Sequence, residues 1–127
     1  MRYNSVLDLH THTVASGHAY CSLREMAKAA SEKGLEVLGI TEHAPSMPGT
    51  CHKFYFNNLK VVPREMYGIQ LLLGSEVNIL DAQGTVDLNE KTLSNMDVVI
   101  ASLHTPCMKP ASRQENTESY LNVMKNP

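Results

Sequence analysis

What the chain lacks narrows its chemistry first. It has no apolar stretch of membrane-spanning length; its longest runs are Leu71-Leu72-Leu73 and Val98-Val99-Ile100-Ala101. It has no charge excess worth the name, with 11 basic against 13 acidic side chains and a net charge of −2. No basic field therefore attracts nucleic acid or an anionic membrane. Cysteine is scarce and unpaired in pattern: Cys21, Cys51 and Cys107 contain no CxxC, which speaks against a disulfide framework and against a zinc knuckle. The opening residues Met1-Arg2-Tyr3-Asn4-Ser5 carry no apolar segment of the signal-peptide kind, so the expected address is the cytoplasm. There is no internal repeat and no low-complexity linker. What remains is 127 residues, 43% apolar and 19% charged, the composition of one globular domain or part of one.

Short apolar runs alternate with helical patterns. Residues Ser5–His10, Leu35–His43, Ile69–Ile79 and Val98–His104 read as strands. Between the first two, Ser22 and Glu25 have capping-box spacing. Leu23, Met26, Ala27 and Ala30 form a helical stripe there, and Gly34 suits the position just past the helix end. The segment Ala44–Gly68 holds a loop at Pro45, Pro48 and Gly49, then a short helix around Phe54, Tyr55, Phe56 and Leu59 that Pro63 breaks. A turn is expected at Ala82-Gln83-Gly84-Thr85, followed by a short helix through Met96 capped by Asp87 and Glu90. Ser112 and Glu115 begin a last helix ending near Asn126-Pro127. Strand–helix units in series predict an α/β fold, a parallel sheet with intervening helices and right-handed crossovers. The sequence stops where a fifth strand is expected, which suggests a fragment.

Six histidines are present, and five occupy places where chemistry can use them. Side chains two apart on a strand share a face. Asp8, His10 and His12 fall together, as do Thr41 and His43, Gly74 and Glu76, and Ser102 and His104. Each strand thus delivers an imidazole or a carboxylate near its C-terminal end, where parallel α/β folds collect ligands and catalytic groups. Neutral imidazoles with a carboxylate suit Zn²⁺, or Mn²⁺ and Fe²⁺ where more oxygen ligands join. Glu76, with two oxygens, is able to bridge two ions.

At these residues the chain resembles the PHP (polymerase and histidinol phosphatase) family, in particular its small free-standing phosphatases. Asp8-Leu9-His10-Thr11-His12-Thr13 and Ala15-Ser16-Gly17-His18-Ala19 resemble the first motif and the loop after it. Gly39-Ile40-Thr41-Glu42-His43-Ala44 resembles the second, with Glu42 where Asp is commoner. Gly74-Ser75-Glu76-Val77-Asn78 and Ala101-Ser102-Leu103-His104 resemble the third and fourth. The resemblance implies a distorted (β/α)7 TIM-like barrel, of which residues 1–127 would be the N-terminal half. It also implies a trinuclear centre, usually of zinc. His10 and His12 would hold one ion, Glu76 would bridge it to a second also bound by His104, and His18 and His43 would hold the third.

The family's remaining ligands, another His and an Asp-x-His pair on later strands, have no counterpart here. A C-terminal segment or a second copy is therefore expected to complete the site, with self-association through the open edges of the first and fourth strands. The implied activity is hydrolysis of a phosphorylated small molecule by metal-bound hydroxide. The alternatives are an inactive metal-binding fragment and, within the same family, a DNA-related exonuclease module that the charge does not favour. Asp8 reads either as an outer acceptor orienting an imidazole or as an ordinary strand-start polar residue. Lys53, Arg64 and Arg113 are weaker candidates for phosphate. His52 reads as a surface residue, the three cysteines as free thiols rather than zinc ligands, and Phe54-Tyr55-Phe56 as core more than substrate platform.

Overall fold

The computed structural model describes residues 5–109 and 111–126. The strands are β1 (Leu7–Thr11), β2 (Val37–His43), β3 (Glu65–Met66), β4 (Ile69–Asn78) and β5 (Val98–Ser102). The helices are α1 (Leu23–Glu32), α2 (Lys53–Asn58), α3 (Glu90–Leu93) and α4 (Arg113–Val123). β1, β2, β4 and β5 run parallel in that spatial order and curl into a half-barrel of the TIM type. β1 and β5 stand at its edges, where Leu7 and Val99 are exposed. No described helix is long and apolar enough to cross a membrane.

The local signals account for most element ends. Ser22 and Ser112 each close a complete capping box with Glu25 and Glu115, and each N-cap hydroxyl accepts the N–H three residues on. Gly34 follows α1 at φ 80°, the left-handed conformation that ends helices. α2 passes into a 3-10 turn at Leu59–Val61 and stops before Pro63. α4 ends at Val123, short of its expected limit, and Pro127 lies outside the described residues.

Three features depart from the sequence reading. β3 was not expected; it folds back antiparallel on the start of β4 through Tyr67 (φ 52°) and Gly68 (φ 76°), the two positive-φ positions of a tight hairpin turn. Asp87 does not cap α3. Asn89 does, accepting Thr92 N–H at 2.9 Å, because Asp87 is drawn inward to Asn78 and Ser46. β1 is not a regular strand either: its register against β2 slips between Asp8 and Thr11, an extra residue taken up as a bulge. Gly39 permits this, since a Cβ there would lie 2.6 Å from the Leu9 carbonyl oxygen.

The core lies between the central strands and the helices. Leu38, Ile40, Leu71, Leu73 and Val77 pack with Ala27 and Ala30 of α1 and with Phe56 and Leu59. β2 and β4 are covered along nearly their whole length, as parallel strands require. β4 and β5 approach so closely that Gly74 has no room for a side chain; a Cβ would sit 1.7 Å from the Val98 carbonyl oxygen. This close seam holds Glu76 and the start of the His104 loop in fixed relation.

Candidate metal centre

Glu76 is the hub. It sits on β4 with only 3% of its surface exposed, and four imidazoles surround its carboxylate. His10 Nε2 and His12 Nε2 lie 3.2 and 3.4 Å from Oε2, His43 Nδ1 lies 2.8 Å from the same oxygen, and His104 Nε2 lies 3.3 Å from Oε1. His18 joins through His43, Nε2 to Nε2 at 3.2 Å. The rings are packed, with His12 stacked on His43 at 4.3 Å between centroids. All six residues named from the sequence as metal ligands therefore meet in one pocket at the C-terminal ends of the strands. His10, His12 and Glu76, and likewise His43, Glu76 and His104, are grouped closely enough to hold a metal ion.

The hydrogen-bond pattern shows what this pocket wants. His104 Nδ1 lies 2.8 Å from Asn78 Oδ1, whose amide nitrogen donates to Asp87 Oδ2 at 2.6 Å and to the Ala44 carbonyl at 3.1 Å. Both of those partners only accept. The amide orientation is thereby fixed, His104 donates from Nδ1, and its Nε2 lone pair faces the carboxylate. His18 Nδ1 likewise donates to the Ser16 carbonyl at 2.9 Å, leaving a lone pair on Nε2. His43 stands between this lone pair and Glu76 with a single ring proton. Whichever side that proton serves, two acceptors face each other on the other side.

Accordingly His43 Nδ1 and Glu76 Oε2 are buried without a hydrogen-bond partner among the described residues, despite their 2.8 Å separation. Extra protons do not relieve the conflict. Burial lowers the His43 pKa to about 4, against the attraction of Glu76, and burial lowers that of His12 as well. Burial alone would raise the Glu76 pKa. The Ser102 hydroxyl and His10, with the facing His43 and His104 rings, outweigh it and hold the carboxyl below its ordinary value. A pocket of converging lone pairs that resists protonation has the electronic character of a cation site.

Other candidates fall elsewhere. Asp8 is exposed, and its carboxylate accepts the His10 backbone N–H at 3.2 Å rather than a ring nitrogen, because the β1 bulge frees that N–H from the sheet. Arg64 is far from any phosphate role: at the opposite end of the sheet its Nε lies 2.6 Å from Asp97 Oδ2. His52 caps α2, accepting Phe54 N–H at 3.2 Å. The three cysteines are free thiols, and burial raises the pKa of Cys51 and Cys107. Phe56 is core, while Phe54 is exposed.

Two residues matter here that were not singled out from sequence. Asn78 orients His104 as described. Glu42, wholly buried, accepts from Thr13 and Ser16 beneath the histidine loop. Its sequence signal was available: Glu42 shares strand parity with Leu38 and Ile40, so an acid stands on an apolar face, where burial without partners is costly.

The family pattern of the PHP domain matches residues 8–125. The chain belongs to the PHP domain family. It is 58% identical over 127 residues to a protein of Clostridium novyi (strain NT) named "Probable phosphatase", covering all of this chain and 51% of that protein. A "Probable phosphatase" of Clostridium botulinum (strain Langeland) is 53% identical over the same length, again 51% of its own chain. A third relative of that name, from Caldanaerobacter subterraneus subsp. tengcongensis, is 48% identical over 128 residues, half of its length. The chain thus spans about half the length of the curated relatives it matches. Every PHP motif residue quoted above lies within the matched span, and the pocket they form is the one centred on Glu76.

Proposed function

We propose that this chain carries the N-terminal half of the active site of a PHP-type phosphatase, with a multinuclear metal centre held by His10, His12, His18, His43, Glu76 and His104. One observation carries the reading: a buried carboxylate ringed by imidazoles, with the Nδ1 atoms of His12, His18 and His104 already bonded to Ser16, Ser16 and Asn78, so that ring lone pairs meet at the carboxylate. The spacing supports a small tetrahedral ion. Two donors at about 2.0–2.1 Å from one zinc lie roughly 3.3 Å apart. The His10, His12 and His104 contacts to Glu76, and His18 to His43, are 3.2, 3.4, 3.3 and 3.2 Å. Zn²⁺ fits best on this ground, with Mn²⁺ or Fe²⁺ as the other candidates.

Within this reading, His10, His12 and Glu76 would hold one ion, Glu76 and His104 a second, and His18 and His43 a third. Such ions supply Lewis acidity, lowering the pKa of a coordinated water and neutralising the charge of a phosphate ester. The chain's own residues do the rest. Glu76 would offer one carboxylate to both ligand groups, Asn78 and Asp87 keep His104 facing inward, and the buried strands exclude water from the underside of the pocket. The relatives' names support a phosphate ester as substrate.

Residues 1–127 form, in this proposal, the N-terminal part of a single PHP domain. The remaining ligands come from a C-terminal segment or from a second copy docking along the exposed β1 and β5 edges. The half-length match also supports a second reading, a metal-binding but inactive fragment. Hydrolysis of p-nitrophenyl phosphate, measured with metal content on this chain and on a full-length relative, separates them. Three ions and turnover in both support catalysis by a completed site. Ions without turnover in this chain alone favour the inactive fragment, and no bound metal in either protein overturns the proposal.

A further inference from the structure

We propose that Glu42, which makes no hydrogen bond or ion pair with the pocket imidazoles among the described residues, fixes the tautomer of His12 through the Ser16 hydroxyl, and so determines which nitrogen His12 presents to the pocket. The claim rests on counting protons. Thr13 N–H lies 3.1 Å from each oxygen of Glu42, the Thr13 hydroxyl donates to Oε1, and the Ser16 hydroxyl donates to Oε2 at 2.5 Å. A carboxylate only accepts, and a serine has one hydroxyl proton, so that proton is committed to Glu42. The two remaining contacts of Ser16 Oγ must then be acceptances. One is the backbone N–H of His43 at 3.0 Å. The other is His12 Nδ1 at 3.1 Å. His12 is therefore protonated on Nδ1 and carries its lone pair on Nε2, the atom 3.4 Å from Glu76.

The arrangement is tightly built. Glu42, Ser16 and Thr13 are all buried, and Gly17, at φ 78° after the 3-10 turn Val14–Ser16, has no room for a side chain against the Gly49 carbonyl. Ser16 serves His18 as well, through its carbonyl. One turn thus orients two rings, and the direction of its single hydroxyl is set from β2, 26 residues away in sequence. Glu42 is a positioning residue: it acts on the pocket through Ser16.

Glu42→Gln keeps the shape and changes the count. The glutamine carbonyl faces the two Thr13 donors, its NH₂ donates to Ser16 Oγ, and the serine proton is released toward His12 Nδ1. His12 then moves its own proton to Nε2, where Glu76 accepts it and the lone pair is lost to the pocket. The tautomer assignment stands apart from any metal, whereas its effect on affinity rests on the metal-centre reading.

The test is multiple-bond ¹H–¹⁵N correlation of the metal-free chain, labelled on histidine nitrogen, at a pH where the rings are neutral. His12 signals are assigned from a His12→Gln variant. The wild type is expected to show His12 protonated on Nδ1 and Glu42→Gln to show it on Nε2, with folding checked by circular dichroism. Zinc affinity in a competition titration is expected to fall about 10–100-fold in the variant. Wild-type protonation on Nε2 overturns the inference, as does a folded Glu42→Gln protein with an unchanged tautomer. If Glu42→Gln does not fold, Ser16→Ala keeps the Thr13 bonds to Glu42 and removes only the relay. It too must lose the Nδ1-protonated form, and retention overturns the inference. A protein that binds no zinc but shows the tautomer switch refutes the metal reading alone.

Discussion

The two ends of the sheet treat a carboxylate in opposite ways. At the N-terminal end, Asp97 accepts the Leu73 backbone N–H at 2.8 Å and pairs with Arg64 Nε at 2.6 Å. The same guanidinium donates to the carbonyls of Leu59 and Val62 at 2.9 and 2.8 Å. Each charge there has its complement, and the cluster ties β3, β4, β5 and the turn after α2 together. At the C-terminal end Glu76 is more deeply buried, yet its Oε2 faces His43 Nδ1 with no hydrogen bond to either atom among the described residues. One end is a finished clasp; the other is a cluster of acceptors that a cation would complete under the proposed function.

Glu76→Gln tests this contrast most sharply. The amide keeps the volume and donates to imidazole lone pairs, so the metal-free protein should become more stable, by about 1 kcal/mol or roughly 3–5 °C in Tm. Metal binding should fall by at least about 100-fold, because the carboxylate shared by two ligand groups is gone. Calorimetry without metal and zinc titration read the two effects separately. A drop in metal-free Tm would show that Glu76 is a satisfied structural acid, and the contrast between the ends would disappear.

Acid should expose the same difference. The His43 pKa is near 4 in the folded chain, below its ordinary 6.5, and that of His12 is lowered too. Between about pH 6.5 and 4 the unfolded chain takes up protons that the folded chain refuses, so stability falls as pH falls. Glu76, also lowered, adds a loss of the same sign at the acid end of that window. Metal-free Tm should therefore be highest above pH 6.5 and decline toward pH 4, and His43→Asn should flatten the upper part of the curve. At the other end, Arg64→Ala should cost about 1–2 kcal/mol at neutral pH, the worth of its charge-assisted bonds discounted for partial exposure. It should leave zinc affinity unchanged. A shift in zinc affinity there would mean that the two ends are coupled through β4.

How much of this was legible in the sequence follows from the range of the interactions. Strand alternation and capping boxes are local, and they located the parallel strands, α1 and α4, and the shared rim of His10, His12, His43, Glu76 and His104. His18, on a loop, was placed through resemblance to a motif; what brings it in is a 3-10 turn anchored to Glu42. The Asn78–Asp87 relay and the Arg64–Asp97 clasp were not legible. Each depends on where a loop residue lands relative to a strand, and no short-range pattern encodes that. β3 escaped for a different reason: a two-residue strand has no periodicity, and its turn uses Tyr67 at positive φ, where sequence rules look first for Asn or Gly.

Asp8 supplies the smallest effect and a check on the boundary between the regions. Alternation along β1 puts it on the ligand face with His10, but the register slip overturns this: Asp8 pairs with Leu38, on the face opposite His43, and its carboxylate accepts a backbone N–H exposed by the bulge. Asparagine offers the same carbonyl acceptor, so Asp8→Asn should change Tm by less than ~0.5 kcal/mol equivalent, the scale of an exposed surface substitution. Zinc affinity should move no more than about twofold, since the lost charge is solvated and sets no imidazole tautomer, unlike Asn78 or Glu42. Should Asp8→Asn weaken zinc binding as far as loss of an inner relay does, the pocket's field would extend through solvent to its rim. Charge rather than oriented lone pairs would then govern the site.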